Sequence, residues 1–530
     1  MSEVEAQHGR TAAASSTNLT ARTASGLSWS YLSVAVLLVT TLAYTAVISR
    51  LLGPVAFGLM ALANLVVLLT QFFARMGIAS ALVQKPELTQ DDIRAASTSG
   101  LVLGAACSAV IWVSAPWISD LFNAPALPDV LRVMAISCVF NGWSMTGLGL
   151  LRRELRFREL SVIAVATYVL GYLVVGIGLA LAGAGVWSLV AASLAAAITN
   201  AIWQYALVRH PVRPVVRLAP YRTMAGYGMR LAGAHLMDYI GGNLDTFTVA
   251  RIAGTAVLGQ YSRAYYLVFQ PLVVYISQAL TNVLFSSFSR IQADGARLRR
   301  AYVSVFSLGC VVLFPLCAGM AVAARELVLV VLGPQWGLAI GLVPWFALAG
   351  ACHVASQMCQ SLAEARADLN RSLAVQVLYI VALGALLLGT LAVRSRGVWV
   401  IAAAVAVAEL LRYLGYLGLV QRILQLSAAQ AARLFAPSAF VSAGTAVAIA
   451  GVQRSLSGQL PTFAVLAGEV ATGALAVGLC VRFGPVPSTR RELWQRLTAS
   501  GALGTAEGLR SRLALLFIGP PAPAMTDARQ

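Results

Sequence analysis

The chain is poor in charge. Only 11% of its 530 residues are Asp, Glu, Lys or Arg, where soluble domains carry about 25%, and this excludes an ordinary water-soluble globular protein. Lysine is almost absent, Lys85 being the only one. Acidic residues are also scarce, 20 against 38 basic ones, which leaves a net charge of +18. Such a charge could indicate a nucleic-acid partner, but the arginines stand in short clusters between apolar blocks. They read as topology signals and contacts to anionic membrane lipids, and no nucleic acid is expected. The seven cysteines (Cys107, Cys138, Cys310, Cys317, Cys352, Cys359 and Cys480) lie in apolar segments without metal-ligand spacing. They read as small buried hydrophobes, with no metal and no cofactor expected. Catalytic signatures are missing too. There is no Gly-x-x-x-x-Gly-Lys-Ser/Thr phosphate loop, no His-Glu-x-x-His helix and no Gly-x-Ser-x-Gly elbow. No long extramembrane segment could house a catalytic domain, so the chain is not expected to be an enzyme.

What the chain has is apolar length. Hydrophobic residues make up 59% of it, and its mean hydropathy is +0.79. They fall in blocks of about 20 residues, the length that crosses a hydrocarbon core of about 30 Å. Fourteen spans are expected, near 27–50, 55–77, 95–118, 127–150, 159–182, 186–208, 224–250, 256–285, 300–323, 339–362, 370–393, 397–421, 432–453 and 461–482. The fold class is therefore all-α and polytopic. Segment Met1–Arg22 is polar, without the apolar core of a signal peptide. Arginine-rich loops alternate with poorer ones. One side receives Lys85 with Arg94, then Arg152, Arg153, Arg156 and Arg158, then Arg209 to Arg222, then Arg290 to Arg300. The excess places both termini in the cytoplasm, as an even span number requires, in a bacterial inner membrane.

The sequence repeats itself. Ser49-Arg50-Leu51-Leu52-Gly53 is followed, after four residues, by Gly58. Ala250-Arg251-Ile252-Ala253-Gly254 is followed at the same spacing by Gly259. A second echo, Gly185-Val186-Trp187 and Gly397-Val398-Trp399, has a similar offset of about 200 to 210 residues. The expected organisation is a tail (1–25), two six-helix halves (26–215 and 216–425), two added helices (426–483) and a second tail (484–530). Copies with an even number of spans share one orientation, and substrate sites lie between such halves.

Polar residues inside the spans are the site candidates, because a charge at bilayer depth costs about 2.5–3.5 kcal/mol on insertion scales. Arg230, Asp238 and Asp245 form one stripe on span 7, with Gly241 and Asn243 between them. They read either as a cavity wall or as a buried structural network. On span 8, Gln260, Arg263 and Gln270 share a face beside Tyr265 and Tyr266. Arg263 offers a fork of donors for phosphate, and it could instead snorkel to the interface. Glu409 and Arg412 have the spacing of an intrahelical ion pair, and Glu409 could alternatively be an ion-coupling site. Tyr413 and Tyr416 follow on a related face. Asp245 and the isolated Glu469 are further coupling candidates. His235 and His353 read as lone structural histidines. On span 2, Asn64, Gln71 and Arg75 share a face. Arg50 and Arg251 are expected to cap helix ends or close a gate, with Gly53 and Gly254 allowing the turn.

The stretch Asp245 to Gly254, continued by Leu258-Gly259-Gln260-Tyr261-Ser262-Arg263-Ala264-Tyr265, resembles a known pattern. It is an Asp, an apolar run, Gly-Arg-x-x-Gly, then Leu-Gly-x-Tyr and Ala, with Ala250 here replacing the first glycine. Together with the loop Leu150 to Leu160 and the 6+6+2 architecture, it is similar to the multidrug/oligosaccharidyl-lipid/polysaccharide (MOP) exporter superfamily, in its Wzx-type flippase group. The resemblance covers about residues 20–485. It implies a V-shaped, often cationic cavity that alternates its opening. It also implies flipping of undecaprenyl-diphosphate-linked oligosaccharide for lipopolysaccharide O-antigen or exopolysaccharide. Polysaccharide polymerase and chain-length machinery would be partners beside the membrane lipids. A cation-coupled drug or small-solute exporter, a flippase of lipid-linked peptidoglycan precursor and a membrane-embedded polymerase remain as alternatives.

Overall fold

A computed structural model describes residues 33–75, 87–211, 218–271, 294–366, 368–392, 397–456 and 458–483, with single residues such as Leu82, Lys85, Phe288 and Ile291 between them. For 71–75, 218–235, 238 and 391–392 only the backbone is described. The long helices are α1 (Ser33–Leu51), α2 (Pro54–Arg75), α3 (Gln90–Phe122), α4 (Leu127–Arg153), α5 (Phe157–Leu181) and α6 (Val186–Val208). Then come α7 (218–253) and α8 (255–269), the two limbs of one long element, followed by α9 (Gly295–Val322) and α10 (Gly337–Ala365). The series ends with α11 (Leu369–Ala392), α12 (Trp399–Leu424), α13 (Ala428–Leu456) and α14 (Thr462–Phe483). Eleven of the described helices are long and apolar enough to cross a membrane. With α2, α7 and α8 the long helices among the described residues number fourteen, and each overlaps one expected span. The chain is a multi-pass membrane protein. The second half of expected span 8, beyond residue 271, lies outside the described residues.

The chain divides into two compact units, Met1–Ser262 and Arg263–Gln530. Small residues set the packing of the first. A Cβ added at Gly100 would come within 2.3 Å of the Gly142 carbonyl oxygen, and one at Gly104 within 2.6 Å of that of Cys138. Gly100 and Gly104 are the small-xxx-small pair that lets α3 and α4 touch backbone to backbone. On α5 the residues Val169–Gly176 form a π-helical stretch, which turns Gly171 against Ala192 and Ala196 of α6. Tyr168 and Tyr172 stack there, with Tyr44 of α1 set edge-on to both. At the polar start of α3, Thr89 and Asp92 form a capping box. Lys85 contacts Asp92 at 2.6 Å, and Arg153 donates to the carbonyls of Leu82 and Lys85.

In the second unit, α9, α10 and α12 bury Tyr302, Phe306, Cys310, Met358, Cys359 and Tyr416 in one cluster. Six of the seven cysteines are buried, as the apolar setting of each anticipates. Gly319 and Gly473 seat Ile449 where α9, α13 and α14 meet. A short helix, Ala324–Val331, follows α9 and carries the buried Glu326.

Candidate functional site

The first feature is the break between α7 and α8. Gly254 takes φ +78°, a left-handed conformation that glycine adopts without steric cost. Asp245 lies before the break and Tyr261 after it, and the Tyr261 hydroxyl donates to Asp245 Oδ2 at 2.6 Å. Thr246 reaches the other oxygen at 3.4 Å. Asp245 is buried, so its carboxylate ties the two limbs together. Gly53 does not take a positive φ, so its turn does not require glycine. The demanding glycines are instead Gly58 and Gly259. A Cβ on Gly58 would stand 1.7 Å from the Thr255 carbonyl oxygen, and one on Gly259 would stand 1.9 Å from that of Pro54. The two copies of the repeated motif therefore lie against each other, each glycine receiving the other copy's backbone. Arg50 and Arg251 are exposed beside this contact.

The second feature is a buried charged cluster in the second unit. Arg412 Nη2 is 2.8 Å from Glu409 Oε2, so the spacing of three does form the ion pair. Both side chains are less than a tenth exposed. His353 of α10 joins them, its Nδ1 3.1 Å from Glu409 Oε1 and 2.5 Å from Arg412 Nη2. Tyr379 of α11 donates to Glu409 Oε1 at 3.2 Å, and its ring lies under the Arg412 guanidinium at 4.8 Å. Gln357 stands 3.0 Å from His353 Nε2. His353 is thus the centre of a network, not a lone histidine.

The protonation logic follows from donor counting. Guanidinium only donates, so the Arg412 bond needs an unprotonated Nδ1, whereas a bond to Glu409 needs Nδ1–H. The two are alternatives. A tautomer shift of the neutral ring, which moves the proton between Nδ1 and Nε2, exchanges one for the other, and the Gln357 amide turns to serve either tautomer.

An aromatic run leads from this cluster along α8. Phe269 meets the His353 ring edge-on at 5.7 Å and stacks on Tyr265 at 4.2 Å, with Phe346 packed against both. One turn away, Arg263 sits over the Tyr266 ring at 5.0 Å. Gln260 and Gln270 are half-buried. Arg230, Asp238, His235, Gln71 and Arg75 carry side chains outside the described residues. Asn64 is half-buried. Asn243 donates to the Tyr239 carbonyl at 2.9 Å, and the Tyr239 hydroxyl donates to that of Leu65. Glu469 is fully buried, and neither of its oxygens has a hydrogen-bond partner among the described residues. It lines an apolar cavity of about 460 Å³ with Pro315, Ile449 and Gly473. Tyr379, Gln357 and Phe269 were not singled out from the sequence. The four-residue spacing of His353 and Gln357 was the available signal.

Fourteen long helices among the described residues, with charge buried between them, define the class, a polytopic membrane protein. The match to known proteins gives the family. A family model described as "Polysaccharide biosynthesis protein" matches residues 47–340, more than half of the chain. The chain belongs to this family. It is similar to the Escherichia coli (strain K12) "Lipopolysaccharide biosynthesis protein WzxC", 23% identical over 361 residues, which are 67% of this chain and 72% of that protein. It is also similar to the Rhizobium meliloti (strain 1021) "Succinoglycan biosynthesis transport protein ExoT", 27% identical over 55% of this chain and 59% of that one. Among solved structures, the lipid II flippase MurJ in an inward closed conformation superposes with a TM-score of 0.68 at 11% identity, covering 85% of this chain and 96% of that one. An inward-facing multidrug MATE transporter of the MOP superfamily gives 0.60 at 16% identity, covering 73% and 94%. At these identities the likeness is one of fold.

Proposed function

We propose that this protein flips an undecaprenyl-diphosphate-linked oligosaccharide across the bacterial inner membrane for cell-surface polysaccharide synthesis. The mechanism is alternating access between two parallel six-helix repeats, with both termini in the cytoplasm. Family membership supports the substrate class, since WzxC and ExoT carry surface-polysaccharide names. The observation that carries the mechanism is the buried His353–Glu409–Arg412 cluster, linked through Phe269 and Tyr265 to the helix face that presents Arg263. Arg263 and Tyr266 offer a guanidinium fork and an aromatic ring, matched to a diphosphate and a sugar. The histidine cluster has two hydrogen-bond arrangements, one for each neutral tautomer, and protonation of both ring nitrogens would favour the bond to Glu409 over that to Arg412, which suits coupling to a proton gradient. At the Gly58–Gly259 contact the two motif copies meet through backbone, and we propose that they part here during the cycle.

The lipid-linked glycan pool in cells depleted of the protein tests this reading, together with the pool in cells carrying Arg263→Gln. Repeat units accumulating on the cytoplasmic side, with surface polysaccharide lost, are the expected result. A normal pool and normal surface glycan would sink it. The drug-exporter reading would then lead, because the same proton-sensitive cluster serves an antiporter, and sensitivity to amphiphilic cations would follow the Glu409 variants.

A further inference from the structure

The second unit has a cleft of mixed polar and apolar lining, built from residues outside the features above. It measures about 660 Å³ and is lined by Arg299, Arg300, Ala301, Val303, Ser304, Leu426, Gln430 and Leu434. Its walls are the N-terminal turns of α9 and α13 with Leu426 just before α13, so it lies at the ends of these two spans. Its chemistry is two-layered. The rim holds two guanidiniums and an amide, with Arg299 Nη2 donating to Gln430 Oε1 at 3.0 Å. The floor is Val303, Leu426 and Leu434.

The charge is one-sided. The sequence holds no acidic residue between Asp294 and Glu326, and none between Glu409 and Glu469. Neither wall helix therefore carries a carboxylate along its length. Asp294, which immediately precedes α9, spends its carboxylate on the backbone N–H of Arg297 at 2.9 Å. Exposed Arg297 and Arg433 add to the same ends of these helices. Three arginines within the first two turns of α9 also stand at the positive end of its dipole, where cations are disfavoured. An anion in the cleft relieves both repulsions.

We infer that this cleft is a binding site for an anionic phospholipid. The phosphate is held on Arg299 and Arg300, and the acyl chains descend over Val303 and Leu434. Basic clefts between helices at a membrane face recognise such headgroups, and each nearby arginine contributes about fivefold in affinity. The guanidinium fork matches phosphate oxygens. The amphipathic lining selects a lipid over a soluble phosphate, because Val303, Leu426 and Leu434 offer nothing to an inorganic ion.

The test uses the purified full-length protein and native mass spectrometry, titrating phosphatidylglycerol and phosphatidylcholine with identical chains. Preference for phosphatidylglycerol is expected, falling about thirtyfold in the Arg299→Gln/Arg300→Gln double variant and unchanged in Arg454→Gln, on the opposite end of α13. Millimolar inorganic phosphate should leave the lipid bound. Should the double variant fold poorly by its unfolding temperature, Arg299→Lys/Arg300→Lys keeps the charge and should retain most of the preference. Equal binding of the two lipids, an equal loss in Arg454→Gln, or displacement by inorganic phosphate would each overturn the assignment.

Discussion

Gly58→Ala gives the sharpest test of the contact between the two motif copies, because two physical effects predict opposite signs. Gly58 lies inside α2, and alanine is favoured over glycine in a helix interior by about 1 kcal/mol. Propensity alone therefore predicts a more stable protein. Packing predicts the reverse. The added carbon would stand 1.7 Å from the Thr255 carbonyl oxygen, where separations under 3.0 Å are essentially never seen, so the strands of backbone must part by at least the 1.3 Å difference. The obstacle is backbone, which cannot rotate aside as a side chain can. Overpacking of this kind costs about 1–3 kcal/mol or more, enough to outweigh the propensity gain. A unit of this size loses about 2–4 °C in unfolding temperature per kcal/mol. Gly58→Ala and Gly259→Ala, purified in detergent, should both melt below the parent. Gly389→Ala is the control, being helical with nothing within 4 Å of its added carbon, and it should melt at or above the parent. Unfolding temperatures of Gly58→Ala and Gly389→Ala raised by equal amounts would refute the close approach. A further readout is transport, since a methyl that holds this end apart slows any cycle that must close it.

The buried cluster separates stability from function. Glu409→Gln leaves Arg412 without its counter-ion in a setting less than a tenth exposed, and this should cost about 3–5 kcal/mol, read as a lower unfolding temperature. Adding Arg412→Met removes the stranded charge and should restore most of that stability while glycan transport stays lost; normal transport in the double variant would reduce the cluster to a structural role. His210, which follows α6 outside the spans, is buried with its ring edge-on to Tyr205. Burial pushes its pKa below the usual histidine value. Its neutral form fits the fold, so its contribution is complete above about pH 6.5 and is lost as pH falls through that value and below, where the unfolded chain takes up the proton. His210→Gln should flatten the fall in unfolding temperature between pH 7.5 and 5.5; an unaltered pH dependence would count against the buried neutral ring.

Helix placement was largely legible because a membrane span announces itself by length and apolarity, and each of the fourteen expected segments overlaps a long helix. What escaped were local deviations from that rule. The π-helical stretch at Val169–Gly176 leaves no mark in composition, since it depends on how Gly171 meets Ala192 and Ala196 across a helix pair. The repeated glycines were visible, yet their roles were not. Gly53 looked like the turn residue and is not strained, while Gly58 and Gly259 matter through a contact some 200 residues distant in sequence. The Glu409–Arg412 pair was readable from its spacing. The arrival of His353 and Tyr379 from α10 and α11 was not, because long helices bring partners together by packing, which periodicity does not encode.

The scarcity of charge, finally, explains where the remaining charges sit. An ionisable group inside an apolar bundle is costly without a partner, and the described residues show three different settings. Asp245 is bonded to Tyr261 across a helix break and acts as a clasp. Glu409 shares Arg412, His353 and Tyr379, a set with more donors than it needs and hence with two arrangements. Glu469 has neither hydrogen-bond partner nor exposure. A structural role accounts for the first. Only the second has a built-in alternative, and a transporter needs an element with two states of similar energy that a proton or a substrate can bias. On that ground we propose His353 and Glu409 ahead of Asp245 for the coupling step, where the sequence offered Asp245, Glu409 and Glu469 alike as candidates.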